Sequence, residues 1–222
     1  MMNKETKKCI IIANGKSPSR SVIRFLRSQG FNKIICADGG ANAARELNII
    51  PDLIIGDLDS ITPENLKYFS KISKIIKISR QNDTDVEKCI KYVIRKGYTD
   101  CVLLSVIGNR LDHSFCNMGI AIKFADQIRI RIISDQSILS VAMGEIEVNT
   151  FPGETFSIYA FDEDTKISSK GLKYRLSETI LPFGKRESTS NVALRDKVLL
   201  NISGGKIFIV RDYNTLKKND LF

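Results

Sequence analysis

The segment Pro51-Asp52-Leu53-Ile54-Ile55-Gly56-Asp57-Leu58-Asp59-Ser60 combines a short apolar run with two aspartates placed directly after it. Such a run, bounded by a proline and a glycine, predicts a buried strand. The carboxylates follow at the carboxyl end of that strand, where open parallel sheets bind their ligands. Because neighbouring carboxylates repel each other unless a cation lies among them, Asp57 and Asp59 indicate a site for Mg²⁺ and a nucleotide polyphosphate.

The sequence on both sides of this segment, up to about residue 135, alternates short β-branched runs with longer amphipathic stretches. The predicted strands are 9–13, 33–37, 53–55, 75–78, 101–105 and 128–133. The predicted helices are 19–29, 41–47, 63–70, 86–96 and 114–125. This alternation predicts an α/β fold in which a mostly parallel sheet is flanked by helices on both faces.

The pattern changes after residue 137, where short apolar runs are separated by turn residues. The predicted strands are 138–142, 145–148, 155–161, 198–202 and 206–210, and the predicted turns are Met143-Gly144, Pro152-Gly153 and Ser203-Gly204-Gly205. No helix is predicted in this half. We therefore expect an antiparallel sandwich or barrel, with domains at 1–137 and 138–222.

Composition narrows the possible partners and the compartment. The net charge is +9, but the basic residues are scattered rather than gathered in an arginine-rich stripe, which argues against a nucleic-acid partner. No apolar run approaches the length of a membrane span, so no membrane association is expected. The five cysteines include no C-x-x-C pair and lie among aliphatic residues, which predicts buried free thiols in the cytoplasm.

Aspartates also follow other predicted strands. Asp38 follows the second strand, Asp83 and Asp85 follow the fourth, and Asp112 follows the fifth. If the sheet is parallel, these side chains converge on one edge. Each also has a structural alternative: Thr84 and Glu87 fit a capping box, and Asp112 could be a plain N-cap. His113, the one histidine, fits a structural or substrate-contacting role better than that of a catalytic base.

Glycines and one arginine suggest how phosphates could be held. Gly39-Gly40 opens a predicted helix, where backbone N–H groups can receive phosphate, and Gly15 and Gly108 also follow strands. Arg110 is the best candidate for a cation that clamps phosphate oxygens. Neither G-x-x-x-x-G-K-[ST] nor G-x-G-x-x-G occurs, which excludes a standard P-loop and a dinucleotide fingerprint.

Six motifs, in order, resemble those of the thiamine pyrophosphokinases. They are Asp38-Gly39-Gly40-Ala41-Asn42, Pro51 to Ser60, Asp83-Thr84-Asp85, Gly108-Asn109-Arg110-Leu111-Asp112-His113, Gly171-Leu172-Lys173-Tyr174 and Ser188-Thr189-Ser190-Asn191. Two departures stand out. Asn109 replaces a usual second glycine, and the chain has no tryptophan, so stacking on thiamine falls to Tyr174 or a phenylalanine such as Phe183.

The resemblance implies an enzyme that transfers the pyrophosphoryl group of ATP to the hydroxyl of thiamine, leaving AMP. It also implies an α/β ATP-binding domain followed by an antiparallel β-sandwich that binds thiamine, and a homodimer whose thiamine sites are shared between subunits. The implied Mg²⁺ ligands are Asp57, Asp59 and Asp85, which with Arg110 and Asp112 form the catalytic set. The implied ATP contacts are Asn14, Gly15, Asp38, Gly39, Gly40, Asp83, Thr84, Gly108 and His113. The implied thiamine contacts are Tyr174, Ser188, Ser190 and Asn191.

Two alternatives remain at this point. The first is a related pyrophosphokinase or phosphotransferase of the same fold that uses a different acceptor alcohol. The second is a non-enzymatic nucleotide- or RNA-binding regulator, which rests on the net charge. Which carboxylate would act as a general base is left open.

Overall fold

The computed structural model of the chain describes residues 6–80, 82–108 and 110–222. Asn109, the departure noted above, lies outside these ranges. The chain divides into two units, Met1–Ser134 and Asp135–Phe222, whereas the change of sequence pattern had suggested a division after residue 137.

The apolar runs of the first unit form a parallel sheet. Over the described residues its strands are β1 (Lys8–Ile12), β2 (Lys33–Ala37), β3 (Leu53–Gly56), β4 (Lys74–Lys77), β5 (Asp100–Leu104) and β6 (Arg129–Ile133). Their order is β6-β5-β1-β2-β3-β4, and every neighbouring pair is parallel. The predicted α/β fold is therefore confirmed. The strands inside the sheet are nearly continuous runs of buried isoleucine, leucine and valine, as expected for a sheet covered on both faces.

Helices connect these strands. They are α1 (Arg20–Ser28), α2 (Gly40–Glu46), α3 (Pro63–Phe69), α4 (Asp85–Arg95) and α5 (Leu111–Phe124). Hydroxyl side chains at Ser19, Thr62 and Thr84 cap three of them, and Pro63 occupies a first-turn position. The N-cap of α5 is Arg110, and Asp112 lies inside the first turn. The alternative of Asp112 as an N-cap is therefore wrong.

The cysteines of the first unit are free thiols, and four of them are buried: Cys9, Cys36, Cys89 and Cys101. Cys116 is exposed on α5, which contradicts the prediction of a buried thiol there. Within the described ranges, none of the helices combines the length and the apolar character needed to span a membrane.

The second unit, all of whose residues are described, is built from antiparallel strand pairs. Its elements are β7 (Ser137–Asn149), β8 (Thr155–Ala160), β9 (Lys166–Lys170), β10 (Thr179–Ile180), β11 (Ser188–Val192), β12 (Lys197–Asp212) and α6 (Tyr213–Lys218). Strands β7 and β12 pair along their length, and β12 pairs with β9 in its first part and with β8 in its second. Side chains of β8, β9 and β12 share one apolar core.

Two predicted turns of this unit are wrong. The structure places Met143-Gly144 inside the continuous strand β7 and Ser203-Gly204-Gly205 inside β12. The pairing register of these two strands shifts between Ile202 and Ile207 of β12. The left-handed φ of Gly204 (84°) therefore serves a bulge rather than a chain reversal. The turn at Pro152-Gly153 does separate β7 from β8. Helix α6, which was not predicted, is capped by Asp212 and buries Tyr213 and Leu216.

Candidate active site

Three residues that follow strands of the first unit have left-handed backbone conformations. Asp38 after β2 has φ 41°, Leu58 after β3 has φ 70°, and Ser105 after β5 has φ 60°. Such conformations are uncommon for residues with a side chain, and they concentrate at functional sites. All three lie at the carboxyl ends of parallel strands, which marks this edge as the candidate site.

The carboxylates of Asp38, Asp57 and Asp59 lie together at this edge. Each can offer an oxygen that lies within 4.8 Å of the others. The group runs from the interior to solvent, because Asp38 is buried, Asp57 is half-buried and Asp59 is exposed. Clustered carboxylate oxygens are the ligands that Mg²⁺ prefers, so this group fits one divalent cation.

Hydrogen bonds of Asp38 shape the loop after β3. Its two carboxylate oxygens accept from the backbone N–H groups of Ser60 (3.2 Å) and Ile61 (3.1 Å). Asn42 holds the same loop, donating to the Ser60 carbonyl at 3.0 Å and accepting from the Thr62 N–H at 3.1 Å. The motifs at 38–42 and 51–60 therefore form one unit, in which the first fixes the loop that carries Asp57 and Asp59.

The environment of Asp38 opposes its ionisation. Burial raises the pKa of its carboxyl to about 6, while hydrogen bonds from the Ser60 and Ile61 N–H groups oppose the shift. The charge of Asp85 and a hydrogen bond with the Asp57 side chain also raise this pKa. Gly56 makes this crowding possible, because a Cβ there would lie 2.6 Å from the Asp38 Cβ. The carboxylates at this edge therefore carry negative charge that the surrounding protein groups do not fully neutralise.

Lys88, which no sequence motif singled out, also borders the candidate site. Its buried ammonium lies 2.8 Å from Asp85 Oδ1 and 3.7 Å from Asp57 Oδ2. Burial alone would lower its pKa, but the two carboxylates outweigh that effect and raise it. The signal available in the sequence was the i, i+3 spacing of Asp85 and Lys88 on a predicted helix. Asp85, a predicted Mg²⁺ ligand, is thus paired with a lysine here.

Asp83 and Thr84, two predicted ATP contacts, have structural partners. Lys91 Nζ lies 2.7 Å from Asp83 and holds the pKa of that carboxyl below its usual range. Thr84 caps α4 by accepting from the Glu87 N–H at 3.2 Å. Half of the predicted capping box is therefore present, while the Glu87 carboxylate contacts Lys91 (2.8 Å) and Lys123 (2.6 Å).

Arg110 and Asp112 form an exposed pair near the start of α5. The Arg110 Nε donates to Asp112 Oδ1 at 2.9 Å, and the guanidinium holds the pKa of Asp112 well below its usual range. His113 is exposed on the next position of the helix. The backbone N–H of Gly108 donates to the Ser114 hydroxyl at 3.3 Å.

The glycines at 15, 39 and 40 allow close packing between loops and strands. The Gly15 N–H donates to the Ser105 carbonyl oxygen at 2.8 Å, and a Cβ on Gly15 would lie 2.3 Å from that oxygen. A Cβ on Gly39 would meet the side chain of Asn14 at 2.5 Å, and one on Gly40 would meet the Ile12 carbonyl at 2.1 Å. Strand β1 lies between β2 and β5, so the strand order reverses at the loops that carry these glycines. In sheets of this kind, nucleotides bind at the point of reversal.

The predicted thiamine residues of the second unit also come together. The buried Asn191 amide accepts from the Tyr174 N–H at 3.0 Å and donates to the Tyr174 carbonyl at 2.7 Å and to the Ser188 hydroxyl at 3.1 Å. Tyr174 thus has a backbone held by hydrogen bonds, and the residue as a whole is 61% exposed. Ser190 is exposed, has φ 53°, and donates its N–H to the Ser157 hydroxyl.

Phe183, the other aromatic residue expected to be able to stack on thiamine, packs against a ring of the same unit. Its ring stacks on Phe161, with centroids 5.9 Å apart. Phe161 in turn packs edge-on against Phe208. Phe183 therefore has an aromatic partner within the protein.

Two family models match the chain, one in each unit. The catalytic domain of thiamin pyrophosphokinases matches residues 28–133, and their vitamin B1 binding domain matches residues 144–206. Thiamine pyrophosphokinase 2 of Oryza sativa subsp. japonica is 31% identical over 193 residues, which cover 74% of this chain and 72% of the relative. Thiamin pyrophosphokinase 1 of Caenorhabditis elegans is 28% identical over 182 residues, covering 77% and 74%.

Solved structures share the fold. The yeast thiamin pyrophosphokinase superposes with a TM-score of 0.83 at 18% identity, covering 98% of this chain and 90% of the other. The enzyme from Candida albicans gives 0.82 at 19% identity, covering 94% and 90%. The family models and the relative of 31% identity show that the chain belongs to the thiamine pyrophosphokinase family.

Proposed function

We propose that this chain transfers the pyrophosphoryl group of ATP to the hydroxyl of thiamine, giving thiamine diphosphate and AMP. The observation that carries the proposal is the carboxylate group Asp38, Asp57 and Asp59 at the carboxyl edge of the sheet. In-line phosphoryl transfer depends on positioning and charge neutralisation more than on covalent help from the protein. A site that gathers fixed carboxylates for a hard cation suits this reaction.

Asp57 and Asp59 would hold Mg²⁺, with Asp38 as the third nearby carboxylate and Asp85 as a further candidate. When bound, Mg²⁺ would neutralise charge on the phosphate oxygens of ATP. The protein supports this role by fixing the loop of Asp57 and Asp59 through the hydrogen bonds of Asp38 and Asn42. Ser60 contributes by donating its hydroxyl to Asp59 Oδ1 at 2.9 Å.

The nucleotide would lie where the loops after β1, β2 and β5 meet. Asn14, Gly15, Gly39 and Gly40 line this point of the sheet, and Gly108 and His113 follow β5 in sequence. Arg110 forms an ion pair with Asp112, and both side chains are exposed. Exposed pairs contribute little free energy, so exchange of the Asp112 carboxylate for a phosphate would cost little.

Thiamine would be held by Tyr174 and Ser190 of the second unit. The exposed Tyr174 ring offers a stacking surface, and the Ser190 hydroxyl offers a hydrogen bond to the pyrimidine ring. Asn191 and Ser188 would act by fixing the backbone beneath them.

The active form would be a homodimer with thiamine sites shared between subunits, working in the cytoplasm. Support comes from the family resemblance for the dimer and from the free thiols for the compartment. Light scattering on the purified chain should give twice the monomer mass. Mixing Asp57→Asn with Tyr174→Ala chains should restore activity at low thiamine if the sites are shared, and should not if each site is complete in one chain.

The decisive experiment incubates the protein with ATP, Mg²⁺ and thiamine and measures AMP and thiamine diphosphate by chromatography. Equal amounts of the two products are expected. AMP release with another alcohol but not with thiamine would instead favour a related pyrophosphokinase. Absence of AMP under all these conditions would overturn the proposal.

A further inference from the structure

We propose that Lys88 is a permanent counter-charge of the carboxylate group. In this role it positions Asp57 and Asp85 when no divalent cation is bound, and it limits how tightly a cation binds. The inference rests on the proposed cation site and assigns a residue to its regulation.

Burial distinguishes Lys88 from other paired lysines of the first unit. Its side chain is 3% exposed, whereas that of Lys91, three residues further along the same helix, is 39% exposed. A buried ammonium is costly unless it is paired and hydrogen-bonded. Lys88 meets this condition through Asp85 at 2.8 Å and Asp57 at 3.7 Å, so its charge is committed to these carboxylates.

The position of Lys88 is set by the fold. It lies on α4, whose neighbouring residues Cys89 and Ile90 are fully buried and which packs against β2 and β3. Asp85 begins the same helix, while Asp57 belongs to the loop after β3. The ammonium thus ties the helix to that loop.

Charge gives this contact two opposed consequences. Lys88 relieves repulsion among the carboxylates, so its removal should destabilise the cation-free protein. A divalent cation that enters the group is also repelled by the fixed ammonium, so removal should strengthen cation binding. A lysine that only fills space would produce neither effect when methionine, which keeps its volume, replaces it.

The test uses Mn²⁺ alone, without nucleotide or thiamine, bound to the full chain and measured by electron paramagnetic resonance. Lys88→Met should bind Mn²⁺ at least threefold more tightly than the wild type. Its thermal midpoint should be lower in EDTA and should rise more on adding Mn²⁺. Lys91→Met, which removes an exposed lysine of the same helix, should keep wild-type affinity, and Lys88→Arg should stay close to it.

An unchanged or weaker Mn²⁺ affinity in Lys88→Met overturns the inference while leaving the proposed function intact. Absence of Mn²⁺ binding to the wild type overturns both this inference and the proposed cation site. If Lys88→Met fails to fold, the double variant with Asp85→Asn is compared with Asp85→Asn alone. The double variant should bind Mn²⁺ more tightly, and equal affinities overturn the inference.

Discussion

The two units prepare their candidate sites by opposite physical means. In the first, the backbone and the buried Lys88 hold carboxylates together against their own repulsion, on strand ends with left-handed residues. In the second, the neutral buried amide of Asn191 fixes Tyr174 through hydrogen bonds. In the first unit, the carboxylates therefore repel one another, and a bound cation can relieve this repulsion. In the second unit, the polar groups around Tyr174 already have hydrogen-bond partners before a ligand binds.

Replacing Asp57 by asparagine should give the largest effect on activity. The substitution keeps the shape of the side chain but removes one charge from the carboxylate group, so turnover should fall by roughly 10³-fold or more, about 4 kcal/mol of barrier. AMP release measures the loss, and circular dichroism checks the fold. Asp83→Asn is the matched control, because Asp83 is paired with Lys91. Equal losses in the two variants would contradict the distinction between these aspartates.

Replacing Asn191 by alanine should destabilise the second unit. The change removes the buried Asn191 amide and leaves the N–H and carbonyl groups of Tyr174 without that partner, which should cost about 2–4 kcal/mol of unfolding free energy. Urea denaturation measures this cost. The KM for thiamine should rise while the KM for ATP stays unchanged. A rise in both would show that Asn191 does not act on the recognition site alone.

Sequence predicted the first unit better than the second for a physical reason. Strands such as β3 are buried on both faces, so their apolar runs are visible in the sequence. Strands β9 and β11, with the sequences KISSK and STSNV, carry few apolar residues and were not predicted. Gly204 indicates a turn and a bulge equally well, and only pairing with a neighbouring strand distinguishes the two.

The same limit applies to the site. The aspartates at strand ends were predictable because a parallel sheet brings its carboxyl ends to one edge. The burial of Lys88 was not, because a lysine on an amphipathic helix is usually exposed and only the packing of α4 makes it internal. Likewise, the pairing of Arg110 with Asp112 depends on how α5 begins.

Truncating Tyr174 should affect thiamine recognition without loss of stability. The residue is 61% exposed, so Tyr174→Ala should leave the urea midpoint near the wild-type value. Loss of the stacking surface should raise the KM for thiamine roughly tenfold, or about 1.4 kcal/mol. Tyr174→Phe keeps the ring and should change this KM less than Tyr174→Ala does. If both variants behave alike, the hydroxyl rather than the ring carries the contact.

The smallest effect should come from breaking the Asp83–Lys91 pair, and it should depend on pH. Lys91 holds the pKa of Asp83 below its ordinary value, so the pair stabilises the fold above the pKa of an unfolded aspartate, about 3.9. This contribution is lost as the pH falls through the lower pKa of the folded state. Because Lys91 also lies 2.8 Å from the Glu87 carboxylate, Lys91→Met removes two ion pairs. The variant should therefore have a slightly lower urea midpoint at pH 7 and should approach the wild type under strongly acidic conditions.

Lys71→Met, at an exposed lysine after α3, is the control for loss of a positive charge at the surface. A deficit of Lys91→Met that persists unchanged at acidic pH would show that the lysine stabilises the helix by packing rather than through Asp83 and Glu87. Asp83 would then be available to a ligand. It could no longer be set apart, as an aspartate with a structural partner, from Asp57 and Asp59 of the carboxylate group.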